Sequence, residues 1–254
     1  MQRNQFETQR DQTFNNDFSA PTDLFAAAAA ADERAGFIMK TYLYVFGAIA
    51  AFITIQTALF TIVGLENLMA LAAATLGTGG KSWLIVLGAF MVVSWIANAW
   101  AQSDTSPVLQ HVGLGVYIAA LSVVFIPLLC MAQVAGGSGT ILSAAMATAG
   151  LFAALTLAVF ITRKDFSFLR STVIFGSFAA LGFIVTAILF GFSPGPIFAY
   201  VMVALMCVCI LFYTSNVLHH YRISQHVAAA LALFASVMTL FWYVLQIFLS
   251  RSST

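Results

Sequence analysis

The sequence predicts an all-α fold: an integral membrane bundle of seven helices. Of its 254 residues, 61% are apolar and only 7% are charged, whereas an ordinary soluble domain carries about 25% charged residues. Seven segments reach the roughly 20 predominantly apolar residues that a membrane-spanning helix needs. The composition excludes a soluble globular enzyme. A net charge of +1 leaves no basic surplus for binding the phosphate backbone of nucleic acid.

The N-terminal segment differs from the rest of the chain. Residues 1–23 are rich in Gln, Asn, Asp, Thr and Ser, a composition that cannot bury enough apolar surface to offset the entropy of ordering. They predict a disordered cytoplasmic tail. Residues 24–40 are Ala-rich and follow the capping residues Thr22 and Asp23, so we expect a short helix there that leads into the membrane.

The membrane domain is predicted over residues 41–249, and residues 250–254 are predicted to form a C-terminal tail. The run from Gly136 to Gly139 joins the third span to the fourth, and Ser193 to Pro196 joins the fifth to the sixth as a tight reversal. The seven predicted spans are Thr41–Leu65, Ser82–Ala101, Pro107–Ala132, Ile141–Thr162, Ser171–Phe192, Ile197–Leu218 and Val227–Leu249.

Lysine and arginine residues set the expected orientation. With the N-terminus in the cytoplasm, eight of the ten cations lie in cytoplasmic segments, and only Lys81 and Arg251 lie outside. Cytoplasmic loops carry an excess of Lys and Arg in membrane proteins. We therefore expect a cytoplasmic N-terminus and an outside C-terminus, with the lipid bilayer as the first partner.

The spans carry no Asp or Glu near mid-membrane, so a carboxylate relay or a carboxylate calcium cage cannot be built from the spans alone. Polar residues instead form one stripe on the sixth span and one on the seventh, each at helical spacing. Two interpretations stay open: the stripes pack helices together, or they meet and line a polar cavity with Tyr213 opposite Ser236. The candidate pore or gating residues are Tyr213, Ser236, Asn216, Thr239 and Tyr243.

Three histidines lie at or just beyond the cytoplasmic end of the sixth span. His219, His220 and His226 are the candidate pH-sensing residues, because imidazole titrates near neutral pH. The alternative is an interfacial role facing solvent and headgroups. Adjacent histidines on a helix point about 100° apart and are poor co-ligands for one ion. The sequence predicts no metal site, no cofactor and no catalytic residue.

Two motifs resemble the Bax inhibitor-1 family of seven-span membrane proteins. Thr162–Leu169 (TRKDFSFL) resembles its loop after the fourth span, and Leu211–His219 (LFYTSNVLH) resembles its signature near the cytoplasmic end of the sixth. The likeness covers roughly residues 35–248. It implies a bundle with the C-terminal span at its centre and, for the bacterial branch, a place in the plasma (inner) membrane. It also implies a pH-sensitive calcium leak in some members, modulation of a membrane-anchored quality-control protease in some bacterial members, and suppression of cell death in eukaryotes.

This chain departs from the family at an aspartate pair on which the calcium leak rests. The resemblance places that pair at Tyr213 and Ser236, and the arginine that latches to it from the second span has no counterpart in Ala97–Ala101. We therefore expect a regulatory or interaction protein, for example in the stress response, whose partner is a membrane-anchored protease or another membrane protein. The alternative is a calcium or cation leak channel, which leaves calcium open as a partner.

Overall fold

A computed structural model describes residues 25–27, 29–76, 81–103, 106–192 and 194–252. Within these ranges the chain forms seven α-helices and one isolated antiparallel bridge between Phe25 and Arg222. The helices are α1 Ala31–Ala58, α2 Leu65–Leu76, α3 Lys81–Ala101, α4 Pro107–Thr162, α5 Arg170–Phe190, α6 Gly195–His219 and α7 His226–Ser252. The predicted all-α membrane fold is confirmed. The predicted tail, residues 1–23, lies outside the described residues.

Six of the described helices are long and apolar enough to cross a membrane, and α4 is long enough to cross it twice. With 56 residues, a straight α4 would measure about 84 Å at 1.5 Å per residue, far more than the roughly 30 Å of a hydrocarbon core. Its backbone leaves helical geometry at Gly137, where φ is 66° and ψ is −174°. That positive φ suits glycine because it has no Cβ. If the two halves of α4 cross separately, seven segments span, as the sequence predicts.

Local sequence signals explain where several helices begin and end. Ser106 caps α4 by accepting a hydrogen bond from the Leu109 amide at 3.4 Å, and Pro107 occupies the first helical position, where its missing N–H costs nothing. Gly191 ends α5 in the left-handed conformation, with φ of 72°, as glycine often does after a helix. The apolar runs between such signals therefore become the helices.

The lead-in helix predicted for residues 24–40 is not a separate element. Residues 25–27 form the bridge and a turn, and α1 begins at Ala31 and continues without a break to Ala58. Nothing between these two residues interrupts a helix, and alanine favours one strongly, so the lead-in and the first span fuse. At the other terminus α7 extends to Ser252, into the residues predicted as a tail.

The C-terminal helix lies at the centre of the bundle, as the resemblance implies. Of the candidate spans, α7 is the most deeply buried, and α4, α6, α1 and α3 pack around it. Aromatic side chains pack at this centre: Phe125 stacks on Phe241 with ring centroids 5.9 Å apart and contacts Trp242 edge-on at 5.0 Å. Between helices in lipid, such close packing supplies much of the association energy.

Candidate functional site

Tyr213 and Ser236 lie on adjacent helices, but the structure gives each its own neighbours. The Tyr213 phenol, on α6, is within electrostatic range of Tyr117 and Tyr221. The Ser236 hydroxyl, on α7, donates a 2.9 Å hydrogen bond to the carbonyl of Ala232 in its own helix. In the described part of the chain, no hydrogen bond or ring contact joins the two side chains. The facing pair therefore stays a prediction.

The other pore candidates make contacts typical of helix packing. Thr239 donates to the Ala235 carbonyl, one turn earlier in α7, at 2.8 Å. Tyr243 is buried, and its ring meets Phe198 edge-on at 5.9 Å. The Asn216 carbonyl accepts the backbone N–H groups that end α6, and its side chain is half-buried. These contacts favour the packing interpretation of the two stripes, and a role in permeation stays a prediction.

The three histidines have different partners. His219 Nδ1 lies 3.0 Å from the Ser215 carbonyl oxygen and must donate to it, because a carbonyl only accepts. His220 Nε2 lies 3.6 Å from Asp165 Oδ2, and the His226 ring packs 5.2 Å from the ring of Tyr44. Within the described ranges no group of three metal-ligating side chains occurs. The rings of His219 and His220 lie 6.2 Å apart, whereas His226 packs against Tyr44. The three histidines therefore do not form a single cluster, and their sensing role stays a prediction.

Asp165 is a partner that the sequence analysis did not single out. Desolvation raises the pKa of its carboxyl, but the amide hydrogen bond from Ser167 and the charge of His220 together outweigh it, so the pKa lies below its usual range. The carboxyl and the imidazole are both close to half exposed, so the ion pair is screened by water and contributes little to stability. Its value is positional, since it holds the loop after α4 beside the end of α6.

Ser215 fixes the same loop from within the bundle. Its side chain is fully buried, and its hydroxyl accepts a 2.9 Å hydrogen bond from the Phe166 amide. The same hydroxyl donates to the Lys164 carbonyl at 3.5 Å. The two motifs identified in the sequence, Thr162–Leu169 and Leu211–His219, are therefore one structural unit. Sequence reasoning missed this link because 49 residues separate the partners.

The N-terminal segment joins this unit from the other side. Phe25 pairs with Arg222, and the Ala26 amide donates a 2.9 Å hydrogen bond to the carbonyl of Tyr221. Ala26 is completely buried there. Contacts among these elements place the starts of α1, α5 and α7 and the ends of α4 and α6 at one end of the bundle. We call it the basic end, after the cations Arg34, Lys40, Arg163, Lys164, Arg170 and Arg222.

A second polar contact at the basic end joins α1, α4 and α7. His111 Nδ1 donates to the Pro107 carbonyl at 2.6 Å, which leaves Nε2 to accept from the Tyr44 hydroxyl at 2.6 Å in the neutral ring. His226 packs on Tyr44 from α7, and Lys40 lies within electrostatic range of His226. Tyr44 and His111 are 67 residues apart, and no spacing in the sequence relates them.

Comparison with known proteins gives a family match over most of the chain. A family model described as "Inhibitor of apoptosis-promoting Bax1" matches residues 34–253. An uncharacterized protein of Pseudomonas aeruginosa is 30% identical to this chain over 112 residues, which are 44% of this chain and 50% of the relative. The alignment thus spans about half the length of the curated relative that it matches.

Proposed function

The chain belongs to the Bax inhibitor-1 family, and from that premise we propose that it is a regulatory membrane protein that acts by binding another protein. The partner we propose is a membrane-anchored protease of the quality-control system, or a membrane protein that such a protease acts on. The protein would sit in the plasma (inner) membrane with its basic end in the cytoplasm and take part in the stress response.

One observation favours a regulatory protein over a cation leak channel. Among the residues between Thr41 and Leu249 that the structure describes, every Asp, Glu, Lys and Arg lies in the first or last turn of a helix or in a connection. Calcium takes six to eight oxygen ligands, usually with carboxylates among them, and charges that mark ion pathways normally lie inside the membrane. Without such charges at mid-membrane, a divalent cation has little to replace its hydration shell.

The basic end offers a surface suited to a protein partner. In the loop between α4 and α5, Arg163 and Lys164 are exposed, and Phe168 is 71% exposed with its ring 6.1 Å from that of Phe166. Exposed aromatic rings beside cations are typical of interface anchors. Ser215 holds this loop in place, so the surface is preformed. We therefore propose the loop Arg163–Leu169 as the docking site for an acidic surface of the partner.

Site-specific photo-crosslinking in intact cells tests the docking site. A photoreactive residue at Phe168 should crosslink one protein of discrete mass. The matched control is Phe175, which is 73% exposed on α5 and should crosslink lipid or nothing. Reversing the charges of Arg163 and Lys164 should remove the crosslinked band, and reversing Arg251 at the opposite end should not. Equal crosslinked bands from positions 168 and 175, or a band that persists after the charges of Arg163 and Lys164 are reversed, would contradict the docking site.

Calcium flux into reconstituted vesicles tests whether the protein is a leak channel instead of a regulatory protein. We expect flux no greater than in protein-free vesicles between about pH 6 and 8. Robust flux would favour a channel, and the neutral oxygens of α6 and α7 would then have to serve as its ligands. The partner's identity is tested separately: deleting the protein should change the degradation half-life of a membrane-protease substrate, and the Arg163/Lys164 reversal should reproduce that change.

A further inference from the structure

An apolar groove lies at the end of the bundle opposite the basic end. Helices α2 and α7 each pack against α4, and the groove runs between them, with residues of all three helices in its lining. Its volume is about 580 Å³, which falls within the range of about 300–1,000 Å³ that is usual for small-molecule sites. The groove is therefore large enough to hold a ligand, and it shares no residue with the proposed docking loop.

Apolar side chains form almost all of the lining. Three helices contribute to it, with Met69 and Ala73 from α2, Cys130 and Met131 from α4, and Leu249 from α7. None of the described residues that line the groove carries a charge. Such a surface offers a ligand dispersion contacts and exclusion from water, but no partner for a buried charge. The part of a ligand that enters the groove is therefore a hydrocarbon.

The groove is continuous with the surface that the bilayer covers. Along α4 its lining runs from Pro127 to Ala135, which is about 12 Å at 1.5 Å per residue, and it ends just before the break in α4 at Gly137. One leaflet of the hydrocarbon core is about 15 Å thick. Met131 and Val134, which also line the groove, are 58% and 61% exposed, so the groove opens toward lipid. Its length and its opening both match the acyl chains of one leaflet.

The width of the groove distinguishes a lipid chain from a protein segment. Its volume of about 580 Å³, spread over a length of about 12 Å, corresponds to a width of about 8 Å. An α-helix with its side chains is about 10–12 Å wide. A membrane-spanning helix, whether from a partner or from a second copy of this chain, is therefore too wide to enter, whereas a single hydrocarbon chain fits.

Polar residues lie where the groove reaches the end of α7. Ser250 is part of the lining, and the next residue, Arg251, is exposed in the last turn of the helix. The Arg251 guanidinium donates a 3.4 Å hydrogen bond to the Tyr200 hydroxyl on α6. This arrangement suits an amphiphile whose chain lies in the groove and whose head lies at the helix end, because arginine pairs readily with a phosphate group.

We propose that the groove between α2, α4 and α7 binds one acyl chain of a membrane phospholipid, with its headgroup at the end of α7. The lipid has a structural role. Helix α2 has 12 residues, about 18 Å at 1.5 Å per residue, so it is too short to span the membrane. It packs against α3 and α4, and the acyl chain fills the space between it and the central helix α7. The bound lipid thereby completes the packing of α2 on the bundle.

Native mass spectrometry of the full chain, purified from membranes and washed in mild detergent, tests for the bound lipid. The wild-type protein should retain one phospholipid per chain. Ala73→Phe and Ala135→Phe each place a ring in the groove from an exposed lining position, and each should lower the retained fraction several-fold. The matched control is Ala149→Phe, at an exposed position in the second half of α4, which should retain the lipid as the wild type does.

The retained mass also identifies the source of the hydrocarbon chain. A phospholipid mass supports the proposal, whereas the mass of a free fatty acid, an isoprenoid or detergent alone would overturn the assignment to phospholipid. No retained molecule in the wild type, or equal retention in the two groove variants and the wild type, would overturn the site itself.

Photo-crosslinking locates the lipid in the wild-type protein, so this test does not depend on whether a variant folds. The protein is reconstituted with a phospholipid that carries a diazirine in its acyl chain, washed in mild detergent to remove bulk lipid, and irradiated. Peptide mass spectrometry should find several-fold more label on Met131, in the groove, than on Met146, which is 61% exposed elsewhere on α4. Equal labelling of the two methionines would mean that the groove holds no lipid more firmly than the open surface does, and would overturn the proposal.

Discussion

Replacing Ser215 with alanine should loosen the proposed docking loop, Arg163–Leu169, and measurably destabilise the protein. The buried hydroxyl accepts the Phe166 amide at 2.9 Å and donates to the Lys164 carbonyl at 3.5 Å. Alanine leaves the half-buried Phe166 N–H without its partner, which costs about 1–2 kcal/mol. For a chain of this size, that loss corresponds to a fall in Tm of roughly 2–8 °C.

Two measurements check the result. Differential scanning fluorimetry gives the change in Tm, and hydrogen exchange with mass spectrometry reports on the loop, where peptides covering residues 163–169 should exchange several-fold faster. Ser236→Ala is the matched control, because Ser236 is also buried but its hydroxyl donates only to the Ala232 carbonyl of its own helix. If Ser215→Ala and Ser236→Ala give the same small change in Tm and the same exchange in the loop, Ser215 does not anchor it.

Three further predictions concern orientation, acid sensitivity and ion flux. A cysteine at Ser167 should resist impermeant thiol reagents added outside, and a reporter active only in the cytoplasm should stay silent when fused after Thr254; the opposite pattern would invert the topology. Because its folded-state pKa is lowered, Asp165 should stabilise the protein above its ordinary pKa and lose that effect as pH falls. The small Tm difference between wild type and Asp165→Asn should thus be present above the ordinary carboxyl pKa of about 3.9 and shrink as pH falls through the lowered folded-state pKa; a difference that grows as the solution is made more acidic would contradict this origin. Finally, Tyr213→Asp with Ser236→Asp should introduce pH-dependent calcium flux, because two adjacent carboxyls titrate as a coupled pair, whereas each single change should do so less; a silent double variant would show that the two positions do not face each other.

The spans could be predicted from the sequence because the residues at and near each helix end determine where the helix begins and ends. The sequence predicts the sixth span at Ile197–Leu218, and the helix forms over Gly195–His219, since an apolar run lies between the Pro194–Pro196 reversal and two histidines. The same logic failed at residues 24–40, where no local signal separates an Ala-rich lead-in from the span that follows. Helix length and polarity are local properties, but whether two helical stretches fuse depends on every residue between them.

Contacts of the candidate site could not be predicted in the same way, because they join residues far apart in the chain. A polar stripe on one helix does not reveal whether each hydroxyl bonds to its own backbone, as Ser236 and Thr239 do, or to another segment of the chain, as the Ser215 hydroxyl does. Helical periodicity gives the face of a residue and leaves its rotamer and its partners to the packing of neighbouring helices.

The two sequence motifs gain a physical meaning from their contact. Ser215 in one motif holds the backbone of Phe166 in the other, and His220, just beyond, pairs with Asp165. A polar residue inside a membrane protein can line an ion pathway or stabilise the structure, and its contacts distinguish the two roles. A group that binds ions faces water, whereas a buried hydroxyl bonded to a loop backbone fixes the position of that loop. By this criterion Ser215 has a structural role. The surface that Ser215 shapes is the cationic, aromatic loop at the basic end, which is the docking site that we propose.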